Sequence, residues 1–196
     1  MTATLHRREV VEALLKDRKD LLVVAGLGST AWDITAAGDS PLNFPLWGAM
    51  GNAAMIGLGL ALAQPARRVL VITGDGEMLM GLGSLATIGV RQPPNLSVVV
   101  IDNERYGETG MQATHTASGV DLAKVAMACG FGSARQVRAR GELAGLRAAI
   151  HGAPGPVFAQ VKVIAEKIPL VLPPREGAVL KARFRKALLG EGADLD

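Results

Sequence analysis

The chain has 196 residues, enough to bury one sizeable core, and is most simply a single domain. Hydrophobic residues make up 49% with 24 glycines and few aromatics, as expected for a sheet covered on both faces. A net charge of +3, with basic clusters only at Arg7-Arg8 and between Lys181 and Lys186, reads as solvated helix faces rather than a nucleic-acid footprint, and the single cysteine, Cys129, excludes a disulfide framework and a CxxC metal site.

In chain order, a helix is expected at about Leu5 to Arg18, then a strand at Leu21 to Ala25 and a short helix after Gly28. Pro41, Asn43 and Pro45 mark a loop, and Gly48 to Ala63 reads as a long helix apolar on most faces, which must be buried on most sides. The run Val69 to Ile72 is a strand, Glu77 to about Val90 a helix, Gln92 to Asn95 a loop, and Ser97 to Ile101 a second buried strand. A ligand loop is expected from Asn103 to Ser118, helices at Val120 to Cys129 and Gly141 to His151, a last strand at Val157 to Val163, and a terminal helix at Glu176 to Leu189. Together these predict a doubly wound α/β fold, a mostly parallel sheet flanked by helices. The segment Met1 to Asp20 is too charged for a signal peptide, and no apolar run reaches the roughly 18 to 20 residues of a membrane span. A cytoplasmic location is the expectation.

The chemistry concentrates at Gly74-Asp75-Gly76, at the end of one strand, and at Asn103, at the end of the next. A helix of about 14 residues returns roughly 21 Å, and a strand of about 7 residues advances roughly 23 Å. A right-handed crossover then sets Asp75 and Asn103 side by side at the carboxyl edge of the sheet, where open α/β folds bind ligands. A carboxylate, an amide oxygen and a nearby carbonyl suit a hard cation such as Mg2+, which shares its shell with phosphate oxygens. Gly74 and Gly76 allow close backbone approach, and the amides of Gly76 and Glu77 favour an anion such as a diphosphate. The alternative is a plain strand-to-helix turn with Asp75 as its N-cap, against which the spacing to Asn103 argues.

With these residues in place, the chain resembles thiamine diphosphate (ThDP) enzymes, whose cofactor motif is Gly-Asp-Gly, a spacer of this order, and Asn. The resemblance implies that Asp75, Asn103 and the backbone carbonyl of Arg105 hold the metal. Trp47-Gly48-Ala49-Met50-Gly51 is similar to the segment that grips the aminopyrimidine half of the cofactor, with the Gly48 carbonyl on its 4'-amino group and Met50 beneath its bend. Met50 as plain core is the bland alternative. Nearly the whole chain, from Arg7-Arg8-Glu9 through Ala187, resembles the ThDP-binding half of phosphonopyruvate and sulfopyruvate decarboxylases. The narrower signal is Asn103-x-x-Tyr106-Gly107-x-Thr109-Gly110-x-Gln112-x-Thr114, which also places Tyr106 and Gly107 at the cofactor. Departures at Glu108, Met111 and Thr114-His115-Thr116 leave the substrate open. The implied reaction takes a small 2-oxo acid with a second anionic group to an aldehyde and CO2.

The resemblance further implies a buried Glu beside the aminopyrimidine, supplied by a separate pyrimidine-binding domain. None of the nine Glu residues is expected at a buried strand end, so a distinct subunit is expected to supply it, in an α2β2 or larger assembly with the Gly48 to Ala63 helix as a candidate interface. Gly26-x-Gly28-x-x-Ala31 fits a dinucleotide fingerprint, but no acid lies between Asp39 and Asp75 to hold a ribose. Ser29 and Thr30 are read instead as donors to the diphosphate, or as caps of the short helix. His115, in the loop overhanging the cofactor, is a candidate proton relay or an exposed loop histidine. A carboligase of acetolactate-synthase type and a non-catalytic ThDP-binding subunit are the rival readings. A ferredoxin-coupled oxidoreductase subunit would need several cysteines.

Overall fold

The computed structural model describes residues 4–194. In chain order the elements are α1 (Arg7–Leu15), β1 (Leu22–Ala25), α2 (Ser29–Ala36), β2 (Asn43–Pro45), α3 (Ala53–Ala63), β3 (Val69–Gly74), α4 (Asp75–Met80), α5 (Ser84–Arg91), β4 (Leu96–Asp102), β5 (Arg105–Tyr106), β6 (Gln112–Ala113), α6 (Leu122–Ala128), β7 (Ser133–Val137), α7 (Leu143–Gly152), β8 (Val157–Lys162) and α8 (Gly177–Leu189). Six strands form one sheet in the order β2-β1-β3-β4-β8-β7, and every neighbouring pair in it is parallel. The doubly wound α/β expectation is met.

Because successive side chains of a strand point to opposite faces, the apolar strands feed two cores. Val23, Leu70, Ile72, Val99 and Val161 pack on one face against α1, α2 and α7. Val24, Val69, Val71, Val98 and Phe158 pack on the other against α3, α5, α6 and Phe184 of α8. Gly57 allows α3 to sit close on β3, since a methyl group there would lie 2.1 Å from Val71 Cγ2. Met55 and Leu62, on the outer side of α3, stay exposed within this chain. Among the described residues no helix is long and apolar enough to cross a membrane.

The structure departs from the sequence reading in four places. The helix expected over 77–90 is two helices, α4 and α5, broken at Gly81-Leu82-Gly83, where Gly81 packs so closely on the Gly51 carbonyl that a methyl would lie 2.0 Å from its oxygen. The helix expected from Gly48 begins only at Ala53, because Ala49 (φ 58°) and Gly51 (φ 91°) take left-handed conformations and make a turn. Asn43 to Pro45, read as a loop, is the edge strand β2, where proline's missing N–H is tolerated. The other edge strand, β7, had no sequence assignment, because Ser-Ala-Arg-Gln-Val is only partly buried and carries no apolar run.

Gly89 of α5 supports a stability prediction whose sign is diagnostic. In an exposed helix Gly→Ala stabilises by about 1 kcal/mol, but a methyl at Gly89 would lie 1.7 Å from the Cys129 carbonyl oxygen, where α5 packs on the end of α6. Gly89→Ala is expected to destabilise the chain by about 1–3 kcal/mol through overpacking, read as a lower urea midpoint. An unchanged or raised midpoint would contradict this close approach.

Candidate functional site

The chain leaves β1 through α2 to reach β2 on one side, whereas it leaves β3 through α4 and α5 to reach β4 on the other. That reversal opens a crevice at the carboxyl ends of β1 and β3, the usual ligand position in such sheets. A cleft there is lined by Leu27, Ser29 and Thr30 after β1, by Gly74 to Glu77 after β3, and by Asn103 and Arg105 to Thr109 after β4. Arg7, Met50 and Ile101 complete it. Of the candidate site residues, Gly48 and His115 lie outside this lining, as do Gly110, Gln112 and Thr114 of the longer motif. Gly48 is exposed in the turn before α3, and His115 faces solvent at the start of the 3-10 turn 115–118 rather than overhanging the cleft.

Gly74 pairs with Ile101 in the β3–β4 register, so Asp75 and Asn103 emerge from neighbouring strands at the same edge. Asp75 is 2% exposed, and its Oδ2 accepts from Thr114 Oγ1 at 2.6 Å and Thr116 Oγ1 at 3.2 Å. Both hydroxyls go to the same oxygen, which leaves Oδ1 for a cation. Asn103 Oδ1 accepts from the Arg105 N–H at 2.9 Å and keeps a second lone pair. Glu104, between them, is left-handed at φ 62°, which bends the chain so that the Asn103 side chain and the Arg105 backbone stay at the cleft. Among the described residues no three His, Cys, Asp or Glu side chains gather as a metal cluster. The donors here are a carboxylate, an amide oxygen and a carbonyl, an all-oxygen set that fits Mg2+. Gly76 completes the cradle: a methyl there would lie 2.5 Å from Tyr106 Cε1, so only glycine lets that ring close over the turn.

Thr114 Oγ1 and Thr116 Oγ1 are 2.9 Å apart, and Thr116 Oγ1 also lies 2.8 Å from Oδ1 of Asp102, which is fully buried. With both carboxylates ionised, two hydroxyl protons cannot serve all these contacts. With Asp75 protonated, one directional chain runs from Asp75 through Thr114 and Thr116 to Asp102. Burial, and secondarily the charge of Asp102, accordingly raises the Asp75 carboxyl to about 6, against the opposing hydrogen bonds from Thr114 and Thr116.

An acid raised in the folded state favours its neutral form, so its contribution to stability is fully present below the unfolded value near 4 and is lost as pH rises through about 6. In EDTA, urea unfolding of the wild type is expected to weaken from pH 4.5 to 7.5 relative to Asp75→Asn. Mg2+, which needs the carboxylate, is expected to bind more tightly as pH rises through 6. Parallel pH profiles for the two proteins would sink this assignment.

Glu77, expected to contribute only its amide, carries a buried carboxyl: it is 4% exposed, and its Oε2 accepts from Thr73 Oγ1 at 2.9 Å. Burial raises it, against the Thr73 hydroxyl and the nearby backbone of Ala53, Gly51 and Leu27. A methyl on Gly26 would lie 1.7 Å from Oε2, so that glycine makes room for this side chain. Thr30 donates to the Gly26 carbonyl at 2.9 Å, and α2 has Gly28 as N-cap with no side-chain cap bond, so the Ser29-Thr30 pair does not cap it. No carboxylate follows β2, whose next residue is the apolar Leu46, and the dinucleotide reading loses its ribose partner.

Sequence reasoning missed Arg7, Asp102, Thr116 and Lys162. Arg7, 4% exposed, pairs with the buried Asp33 and donates to the Ser29 carbonyl at 3.1 Å, while Arg8 reaches Asp33 at 3.3 Å. Two cations thus meet one buried carboxylate beside a cleft whose lining also carries Asp75, Glu77 and Glu108. The available signal was the Thr114-x-Thr116 spacing within the ligand loop.

A doubly wound parallel sheet with oxygen donors and glycine-lined turns at its switch point defines an α/β protein with a ligand cleft at the carboxyl edge of its sheet. The chain belongs to the thiamine pyrophosphate (thiamine diphosphate) enzymes: residues 28–161 match the family described as "Thiamine pyrophosphate enzyme, C-terminal TPP binding domain". It is 42% identical over 159 residues to sulfopyruvate decarboxylase subunit beta of Methanothermobacter thermautotrophicus, covering 81% of this chain and 82% of that one. It is 38% identical to phosphonopyruvate decarboxylase of Streptomyces viridochromogenes over 80% of this chain but only 39% of that longer protein. The structure of a putative thiamin diphosphate-dependent enzyme from Mycobacterium smegmatis superimposes with a TM-score of 0.70 at 24% identity, over 84% of this chain and 33% of that one, and shares the fold.

Proposed function

We propose that the chain is the ThDP-binding, beta-type subunit of a Mg2+-dependent 2-oxo acid decarboxylase that converts a sulfopyruvate- or phosphonopyruvate-like acid into an aldehyde and CO2. The observation that carries this reading is the placement of Asp75 and Asn103 on one edge of the switch-point cleft, in a chain similar along most of its length to a decarboxylase subunit. Bound ThDP would supply the electron sink for the bonding pair left on the substrate carbon as CO2 departs. Asp75, Asn103 and the Arg105 carbonyl hold Mg2+. Gly74, Gly76, Ser29 and Thr30, with the Glu77 and Gly107 amides, approach the diphosphate. Met50 and Tyr106 pack on the cofactor, with Gly48 toward its pyrimidine. The chain acts as one domain in the cytoplasm. The pyrimidine-binding domain and its Glu come from a second chain, in an α2β2 or larger assembly docked in part on the Met55 and Leu62 side of α3.

The test is product analysis with the second subunit present. Sulfopyruvate and phosphonopyruvate are each supplied with ThDP and Mg2+, and CO2 and aldehyde are measured. Equal release of CO2 and aldehyde supports the proposal. Condensed acetolactate-like products with little free aldehyde would assign a carboligase instead, and cofactor binding without turnover of any 2-oxo acid would assign a non-catalytic subunit.

A further inference from the structure

We propose that Lys162 is a positioning residue for the metal edge of the site: its ammonium, shared by Asp102 and Glu104, clamps the Asn103–Arg105 turn that presents two of the three metal ligands. This rests on the functional reading above and extends it to a strand end remote in sequence from the cofactor motif.

Lys162 closes β8 in register with Asp102 at the end of β4. Its Nζ lies 2.8 Å from Asp102 Oδ2 and 2.6 Å from Glu104 Oε1, and the residue is only 5% exposed. A lysine ammonium withdrawn from water is costly unless its charge is paired, and here it has two carboxylates. Burial pulls its pKa down, but the hydrogen bonds and charges of Asp102 and Glu104 outweigh this and raise it.

Asp102 is the hub. Its Oδ1 accepts from Thr116 Oγ1 at 2.8 Å and the Glu104 N–H at 3.0 Å, and its Oδ2 from Gln160 Nε2 at 2.5 Å as well as from Lys162. Thr116 in turn touches Asp75, so one fully buried carboxylate ties together the two strand ends that carry the ligands.

Glu104 is held at three points. Its N–H donates to Asp102, its carbonyl accepts from the Thr114 N–H at 3.1 Å, and its carboxylate meets Lys162. Its left-handed backbone, unusual for a side chain with a Cβ, needs such support. The residues on either side supply the Asn103 amide oxygen and the Arg105 carbonyl. Glu104 itself is not a ligand, and 43% of its side chain is exposed. Its ion pair with Lys162 therefore acts on the turn rather than on the cation.

The experiment compares wild type, Lys162→Met, Lys162→Arg, Glu104→Gln, Asp102→Asn and the double variant Lys162→Met/Asp102→Asn, the last keeping the buried charge balanced if Lys162→Met alone unfolds. The first readout is the Mg2+ concentration that half-saturates ThDP binding by calorimetry. The second is hydrogen exchange at the Glu104 and Arg105 amides without ligand. The expected result is a 10–100-fold weaker Mg2+ dependence on losing Lys162, as for other groups that orient metal ligands. The double variant should be weakened beyond Asp102→Asn alone, Glu104→Gln weakened in the same direction, and Lys162→Arg largely restored. Exchange at the two amides should quicken at least tenfold while the β4 core is unchanged.

A double variant that matches Asp102→Asn in both readouts would reduce Lys162 to charge balance and overturn the proposal. If wild type itself shows no Mg2+-dependent ThDP binding, the functional reading fails and takes the proposal with it, a result distinct from a wild type and Lys162 variants that bind alike.

Discussion

Asp75→Asn is expected to fold as well as wild type or better and to lose Mg2+-dependent ThDP binding by more than ~100-fold, since even the outer partners of a metal ligand are worth 10–100-fold. The two halves of this result have separate causes. Asp75 is buried beside Asp102, and both burial and that neighbouring charge disfavour its ionised form. A neutral amide of the same shape removes the repulsion and can take the place of the protonated acid, its Nδ2 donating to Thr114 at the head of the chain that ends on Asp102. A divalent cation, however, needs the negative oxygen, and an amide in its place leaves the site without its only carboxylate ligand. Asp75→Ala is the less clean change, because it removes the first member of the buried Thr114–Thr116–Asp102 chain and leaves a cavity in its place. Calorimetric titration of ThDP at fixed Mg2+, with urea unfolding in EDTA, reads both halves. Retained metal-dependent binding in Asp75→Asn would remove Asp75 from the metal, and a large loss of stability would mean that the carboxylate is ionised and paired in the metal-free fold.

What could be read from the sequence divides along physical lines. The central strands β1, β3, β4 and β8 are mostly apolar and buried along their length because helices cover both their faces, so composition marks them despite Ser97 in β4 and Gln160 in β8. The placement of Asp75 beside Asn103 followed from element lengths, and the error in the intervening helix did not disturb it, since α4 and α5 still return the chain to the start of β4. The edge strands were illegible for the opposite reason. Asn43 to Pro45 and Ser133 to Val137 are each paired along one side only and are held by register rather than by apolar content. The groups behind the ligands were equally hidden. Lys162 meets Asp102 only because β8 lies next to β4 in the sheet, a neighbour relation that no local motif encodes. Glu77 reads as an ordinary first-turn helix acid, and its burial depends on Gly26 of another strand end making room. His115 shows the converse: loop position drew attention to it, while its neighbours Thr114 and Thr116 are the buried residues and the imidazole is left in solvent.

The isolated chain is expected to bind ThDP and yet turn over no 2-oxo acid, with activity appearing only when a pyrimidine-domain chain is added. Glu77 makes this a sharp expectation, because it is a buried carboxyl already in the cleft lining. If it activated the cofactor, one chain would suffice. Its carboxyl is instead turned back to the Thr73 hydroxyl and packed against Gly26. A group activating a ring nitrogen must reach it at about 2.6–3.2 Å, and a carboxyl wedged between two strand ends lacks that freedom. Glu77→Gln keeps the shape and an oxygen acceptor for Thr73, so the mixed complex should retain activity within about tenfold, a loss of roughly 1.4 kcal/mol in the barrier. A Glu→Gln change at the partner's contributed carboxyl should cost far more, on the order of the 10²–10⁴-fold typical of positioned acid–base groups. Turnover by the isolated chain, abolished by Glu77→Gln, would reverse the assignment and make this chain self-sufficient. Turnover only in the mixture, insensitive to Glu77, would divide the labour as proposed, with metal and diphosphate held by this chain and the ionising carboxylate by its partner.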